Sequence, residues 1–242
     1  MTIIIGPGIT ITGGIGVNAG VPLPAPPPVY TIETGTRAPV LGAGAQSPFP
    51  AAGWTSIISS TADDANTNIS LPFTWPYNSN NYTNFFAASN FYITFGSGSN
   101  QFNFLSATSP SLNKIFFAGA DNSWQRVSSF TSGTDYKRLR HEGTSSTSGT
   151  PGNPNMVYEL TFFNPSLTGG NPWLELLIGV QARGNTNVGV ISGLYSSGAK
   201  LADLGPFPNR GVAANQSYVM VGNSTGTSWN VYTGYYVSGT GY

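Results

Sequence analysis

The chain has 242 residues, with 31 Gly, 18 Pro, 13% aromatic and only 7% charged side chains, nine basic against nine acidic. Zero net charge removes the electrostatic pull toward nucleic acid, anionic membrane or acidic substrate, so no nucleic-acid partner is expected. Cysteine is absent, which excludes disulfides, thiolate nucleophiles and Cys-ligated metal, while scarce helix formers beside abundant turn and strand formers point to an all-β chain able to bury a real core.

Residues 1–28 read as an extended arm. Ile3, Ile4, Ile5, Ile9 and Ile11 alternate with glycine and threonine, and a stiff polyproline stretch ending in Pro26, Pro27 and Pro28 follows. Such a segment cannot bury its isoleucines against itself, so it is either a mobile terminus or docked on something else, and its Ile and Val content favours docking as an added strand. It lacks the basic flank and long apolar run of a signal peptide or membrane span, so no membrane insertion is expected.

Residues 29–242 are expected to form one β-sandwich domain. Val29–Thr36 is a short alternating strand, and Trp54–Ile58 another. The stretch Leu71–Gly96 (LPFTWPYNSNNYTNFFAASNFYITFG) carries the clearest pattern. Ile69, Leu71, Phe73 and Trp75 alternate with polar residues and proline, as do Phe91, Ile93 and Phe95 with Tyr92 and Thr94, which predicts two half-buried strands joined by a long Asn-rich turn. Gln101–Leu105 and Ile115–Ala118 are further strand candidates, and Asp121–Arg126 reads as a turn carrying Trp124.

In the middle of the chain, Tyr136, Arg138 and Arg140 share one strand face, opposite Lys137, Leu139 and His141. Met156, Tyr158, Leu160 and Phe162 point inward from the next strand, and Leu174, Leu176, Ile178 and Val180 from the one after. Antiparallel pairing then sets Arg138 and Arg140 near Glu159, and Glu159 near Glu175, as a charge ladder on the outer face. Val188–Tyr195, Tyr218–Gly222 and Trp229–Val237 complete about ten to twelve strands, with a helical or polar break at Gly198–Leu204. An antiparallel two-sheet sandwich is the natural packing of such a series.

Chemistry is sparse. His141 is the only histidine, and no nucleophile elbow, phosphate loop or dinucleotide fingerprint is present. Glu159 and Glu175 are the one carboxylate pair a hydrolase would use, but arginines beside them suit a structural ladder better than a general acid. Asp63-Asp64 and Asp121-Asn122 lack the dense acidic spacing of a calcium loop. No catalytic residue, metal or cofactor is therefore expected, and the chain is read as no enzyme. Trp75, Tyr77, Tyr82 and Trp124 are the candidates for stacking on a glycan or a partner, the alternative for both tryptophans being a place in the core.

Leu71–Tyr77, Asn81-Tyr82-Thr83 and Ala88–Gly96 together resemble the LPFxFPFxG…Y…SNGYITFG module of nidogen-like β-domains. Downstream, Ser123–Arg126 (SWQR), Arg138–Thr144 (RLRHEGT), Ser148–Pro154 and Tyr158–Phe162 look like the version carried by virion structural proteins of tailed phages, cyanophages especially. The resemblance spans about residues 60 to 180. It implies a non-enzymatic virion component of the tail, baseplate or fibre, attached to other virion proteins through residues 1–28, homo-oligomeric with a trimer as the guess by analogy, and able to meet a host surface glycan. Capsid decoration protein and glycan-binding receptor module are the alternatives. Two glycines of the module are missing, replaced by the run Asn78-Ser79-Asn80 and by Phe91. Either the second turn differs, or Asn90 takes the left-handed conformation itself.

Overall fold

The computed structural model describes residues 3–4, 10–11, 30–33, 53–100, 113–119, 123–144, 156–181, 191–196, 199–202, 216–233 and 235–238. In chain order the strands are β1 (Ile3–Ile4), β2 (Thr10–Ile11), β3 (Tyr30–Glu33), β4 (Thr55–Ile58), β5 (Ala62–Asp63) and β6 (Asn66–Tyr77). Next come β7 (Asn80–Ala88), β8 (Tyr92–Phe95), β9 (Asn113–Gly119), β10 (Ser123–Ser132), β11 (Tyr136–Thr144) and β12 (Met156–Phe163). The last are β13 (Trp173–Gln181), β14 (Ile191–Ser196), β15 (Ala199–Ala202), β16 (Gln216–Gly222), β17 (Trp229–Thr233) and β18 (Tyr235–Ser238). A single 3-10 turn, Pro165–Leu167, is the only helical element among the described residues.

Two antiparallel sheets form the expected sandwich. The large sheet has the order β17-β16-β13-β12-β11-β10-β4, with β5 also pairing with β10; the small one runs β15-β14-β9-β8-β7-β6. β6 is thus an edge strand, a position that tolerates Pro72 and Pro76 because an edge need not donate a full ladder of hydrogen bonds. Strands β3 and β18 pair separately, Tyr30 opposite Ser238 and Glu33 opposite Tyr235, and β18 passes close to β16 and β13. The arm contributes a small hairpin, Ile3 opposite Ile11 and Ile4 opposite Thr10. Ile5, Ile9, Pro26, Pro27 and Pro28 lie outside the described residues, as do Gln101–Leu105.

One core fills the space between the sheets. Ile69, Leu71, Trp75, Phe85, Ile93 and Phe95 face it from the small sheet, and Leu139, Tyr158, Leu160, Phe162, Leu174, Leu176, Ile178 and Met220 from the large one. The inward sets expected for β6, β8, β12 and β13 are therefore largely in place, with Phe73 half-buried at its rim. Trp75 sits at the centre. Its ring lies 4.9 Å from Phe162 edge-on, 5.6 Å from Phe95 and 5.6 Å from Trp229.

Four expectations need correction. The long Asn-rich connection between the two opening strands is itself strand β7, paired with β6 from Asn66↔Ala88 to Tyr77↔Asn80. The real turn is only Asn78-Ser79, both at positive φ (49° and 60°), as the tight hairpin turn that matches strand twist requires. Asp121–Arg126 is no turn around Trp124, because Ser123 opens β10. Within Gly198–Leu204, expected as a helical or polar break, Ala199–Ala202 form strand β15, and Trp229–Val237 is two strands, β17 (Trp229–Thr233) of the large sheet and β18 (Tyr235–Ser238) outside it.

The hairpin turn also stitches the sheets together. The amide of Asn78 donates to the Gly226 carbonyl (3.0 Å) and that of Ser79 to the Thr225 carbonyl (2.8 Å), in the loop between β16 and β17. Close approach demands glycine there: Gly226 has φ +64°, and an added Cβ would lie 2.7 Å from the Pro76 oxygen and the Tyr77 Cα. Gly226→Ala is expected to cost about 1–3 kcal/mol in urea denaturation, from backbone strain plus the broken stitch.

Candidate functional site

The outer face of the large sheet holds the densest set of charged groups. Along the register, Phe130, Arg138, Thr161, Glu175 and Val219 lie in one cross-strand row, and Ser128, Arg140, Glu159, Leu177 and Ser217 in the next. Glu142 follows two residues after Arg140 on the same face, opposite Arg126. Nine acidic and nine basic residues make eighteen charges in the chain, and six of them (Arg126, Arg138, Arg140, Glu142, Glu159, Glu175) stand here.

These charges are bonded to one another. Arg126 Nε donates to Glu142 Oε2 (2.7 Å), Arg140 Nε to Glu142 Oε1 (2.8 Å) and Arg140 Nη1 to Glu159 Oε1 (3.0 Å). Arg138 Nε donates to the Thr161 hydroxyl (3.0 Å), and its guanidinium lies 5.4 Å from the Tyr136 ring centre. The expected ladder exists, but two of its features differ. Glu159 stands opposite Leu177, and Glu175 opposite Thr161, so the two glutamates are diagonal neighbours rather than partners. The face is also no solvent face: Arg140, Glu142, Glu159 and Glu175 are fully buried and Arg138 is 5% exposed. Charges can stay in such a place only by satisfying one another, which is what the Arg126–Glu142–Arg140–Glu159 chain does.

His141 points the other way, into the core. Its ring stacks on Phe91 at 4.1 Å and lies 5.9 Å from both Phe117 and Trp124, and neither ring nitrogen has a hydrogen-bond partner. Burial without a partner pushes its pKa from 6.5 down to about 3. Tyr158 faces it across the strand pair; its hydroxyl is equally without a partner, and burial raises its pKa well above the usual tyrosine value.

The second turn of the small sheet shows which residue takes the left-handed conformation where the resembled module has glycine. Asn90 does not carry the left-handed conformation; Phe91 does, with φ +57°. A bulky residue there is strained, and it is held by the stack on His141 and by contact with the bare backbone of Gly143, where a Cβ would lie 2.8 Å from the ring. The ring thereby fills the space between turn and large sheet.

Three of the four aromatics considered for glycan contact are closed to any ligand. Trp75, Tyr77 and Trp124 are buried in the core, the alternative placement for the two tryptophans, and only Tyr82 is part-exposed. Tyr77 is used internally: its hydroxyl donates toward the carbonyls of Lys114 and Tyr195 (3.0 Å each), and burial raises its pKa despite the opposing effect of the Tyr195 contact. On the outer face of the small sheet, Lys114 lies over the rings of Tyr92 (5.1 Å) and Phe116 (5.8 Å), and burial lowers its pKa to about 8.

Sequence reasoning paired Arg138 and Arg140 with Glu159 but missed Glu142, the hub of the network, and Arg126. The period of two through Arg138, Arg140 and Glu142 was the available signal. Among the described residues no group of three or more His, Asp or Glu side chains gathers to hold a metal ion. Compared with protein-family models, curated proteins and solved structures, the chain finds no match.

Proposed function

We propose that the chain is a non-enzymatic structural component of a tailed-phage virion, in the tail, baseplate or fibre, with residues 1–28 docking on neighbouring subunits of a homo-oligomer. The observation that carries the reading is how the polar residues of the resembling segments are used. Arg126, Arg140, Glu142 and Glu159 are the groups on which chemistry would have to be built, and they bind one another inside the body. Leu71, Trp75, Ile93, Phe95, Leu160 and Phe162, from the same segments, are core. Every one of these residues serves to hold a shape, as a building block requires. Glycan binding is the weaker reading, since Tyr82 alone of the four candidate rings is accessible.

Electron microscopy of purified particles tests the assignment. Antibody or tag density is expected on the tail, and a chain lacking residues 1–28 should fold but fail to enter particles. Density confined to the capsid shell would assign it to decoration instead. Absence from purified particles, or wild-type incorporation of the truncated chain, would overturn the virion role or the arm's part in it respectively.

A further inference from the structure

We propose that the turn from Ala88 to Phe91 is an acid-released latch: when His141 takes up a proton, Phe91 leaves its slot and the turn swings away from the large sheet while the two sheets stay packed. A neutral imidazole needs one acceptor and one donor partner, and His141 has neither. Its surroundings are rings: Phe91 from the turn, Phe117 from β9, Trp124 from β10 and Tyr158 from β12. A proton would place a full charge and a second donor in this enclosure, and the ring faces offset only part of the lost hydration.

Of the described groups that face His141, Tyr158 alone is titratable, and burial raises the pKa of its phenol well above the usual value. Arg140 and Glu142, its neighbours in sequence, are bonded on the opposite face of the sheet. Asp64 stands outside the turn, accepting a bond from Asn90 Nδ2 at 3.0 Å. Among the described residues no carboxylate therefore reaches the imidazole from the elements packed against it. Water is the remaining partner, and Phe91 is what stands in its way.

The latch is also the element best suited to move. Phe91 at φ +57° gains by returning to the ordinary backbone region. Ser89 N–H bonds to the Ala65 carbonyl (2.9 Å), Ala65 N–H to Ser89 Oγ (3.0 Å) and Asn90 to Asp64, which ties the turn to the short link between β5 and β6. The one bond that Phe91 accepts from β9, from the Phe117 amide, is long at 3.4 Å. The low imidazole pKa sets the sign: the closed form rejects the proton and the open form accepts it, so opening rises as pH falls below 6.5.

Amide hydrogen exchange of the full chain, read by NMR with intrinsic rates divided out, tests this. Protection of the Phe91 and Phe117 amides should fall by about tenfold per pH unit below 6.5, while Leu160 and Leu176 keep theirs. As the only histidine, His141 gives an unambiguous C2–H signal that should titrate with the same opening. In His141→Phe the local step should vanish. Loss of protection in all four amides together, pH-independent exchange at Phe91 and Phe117, or an acid step that survives in His141→Phe would each overturn the latch. The wild-type profile alone decides the matter if that variant does not fold.

Discussion

Glu142→Ala is expected to cost the fold about 3–5 kcal/mol, measured by urea denaturation at neutral pH. Both carboxylate oxygens are engaged, Oε2 by Arg126 and Oε1 by Arg140. Removing them takes the carboxylate from Arg126 Nε and from Arg140 Nε, and leaves the fully buried Arg140 with Glu159 as its remaining carboxylate. The penalty is the desolvation of buried charge that has lost part of its compensation, rather than the value of the pair itself. Glu142→Gln should fall between the variant and wild type, because the amide oxygen still accepts one bond while its NH2 meets a second donor. Added salt should change the Arg140 part of the cost little, since that pair is fully buried, and screen only the Arg126 pair, whose arginine is 25% exposed. A loss below 1 kcal/mol in Glu142→Ala would show that the network is solvated in solution.

Trp75→Ala should cost a comparable amount, about 3–5 kcal/mol, by opening a cavity where the sheets meet. Rings from both sheets close on this indole: Tyr77 and Phe95 beside it, Phe162 and Trp229 across. Trp75→Phe should cost less than half as much, since it keeps most of the stacking and deletes an indole N–H that has no hydrogen-bond partner. Any ligand binding lost in Trp75→Ala would follow from lost folding, and circular dichroism on the same sample separates the two. Unchanged stability in Trp75→Ala would contradict the packing described for the core.

The inward half of the fold was legible, and the outward half was not, for one reason. Met156, Tyr158, Leu160 and Phe162 announce their face because apolar period two has a single interpretation in a sheet. Arg138, Arg140, Glu142, Glu159 and Glu175 announce water by the same logic, and the structure buries them. Charge marks a solvent face only while it is unpaired, and pairing depends on register between strands far apart in sequence. Strand β7 was hidden by composition. Asn80-Asn81-Tyr82-Thr83-Asn84 reads as a turn, yet with β6 alongside its backbone is paired and asparagine is tolerated on the exposed side. Phe91 was the hardest to foresee, because its strained backbone is stabilised by His141, fifty residues later in sequence and adjacent only in the fold.

The pairing of β3 with β18 has a mechanical consequence. Tyr30 stands opposite Ser238, so the chain enters and leaves this ribbon at the same end. Tension applied through the segments before Tyr30 and after Ser238 pulls the two strands apart like a zipper, loading one rung at a time, whereas shear would load every rung together. Under such tension the ribbon is expected to open rung by rung, with the approach of β18 to β16 and β13 as its further restraint.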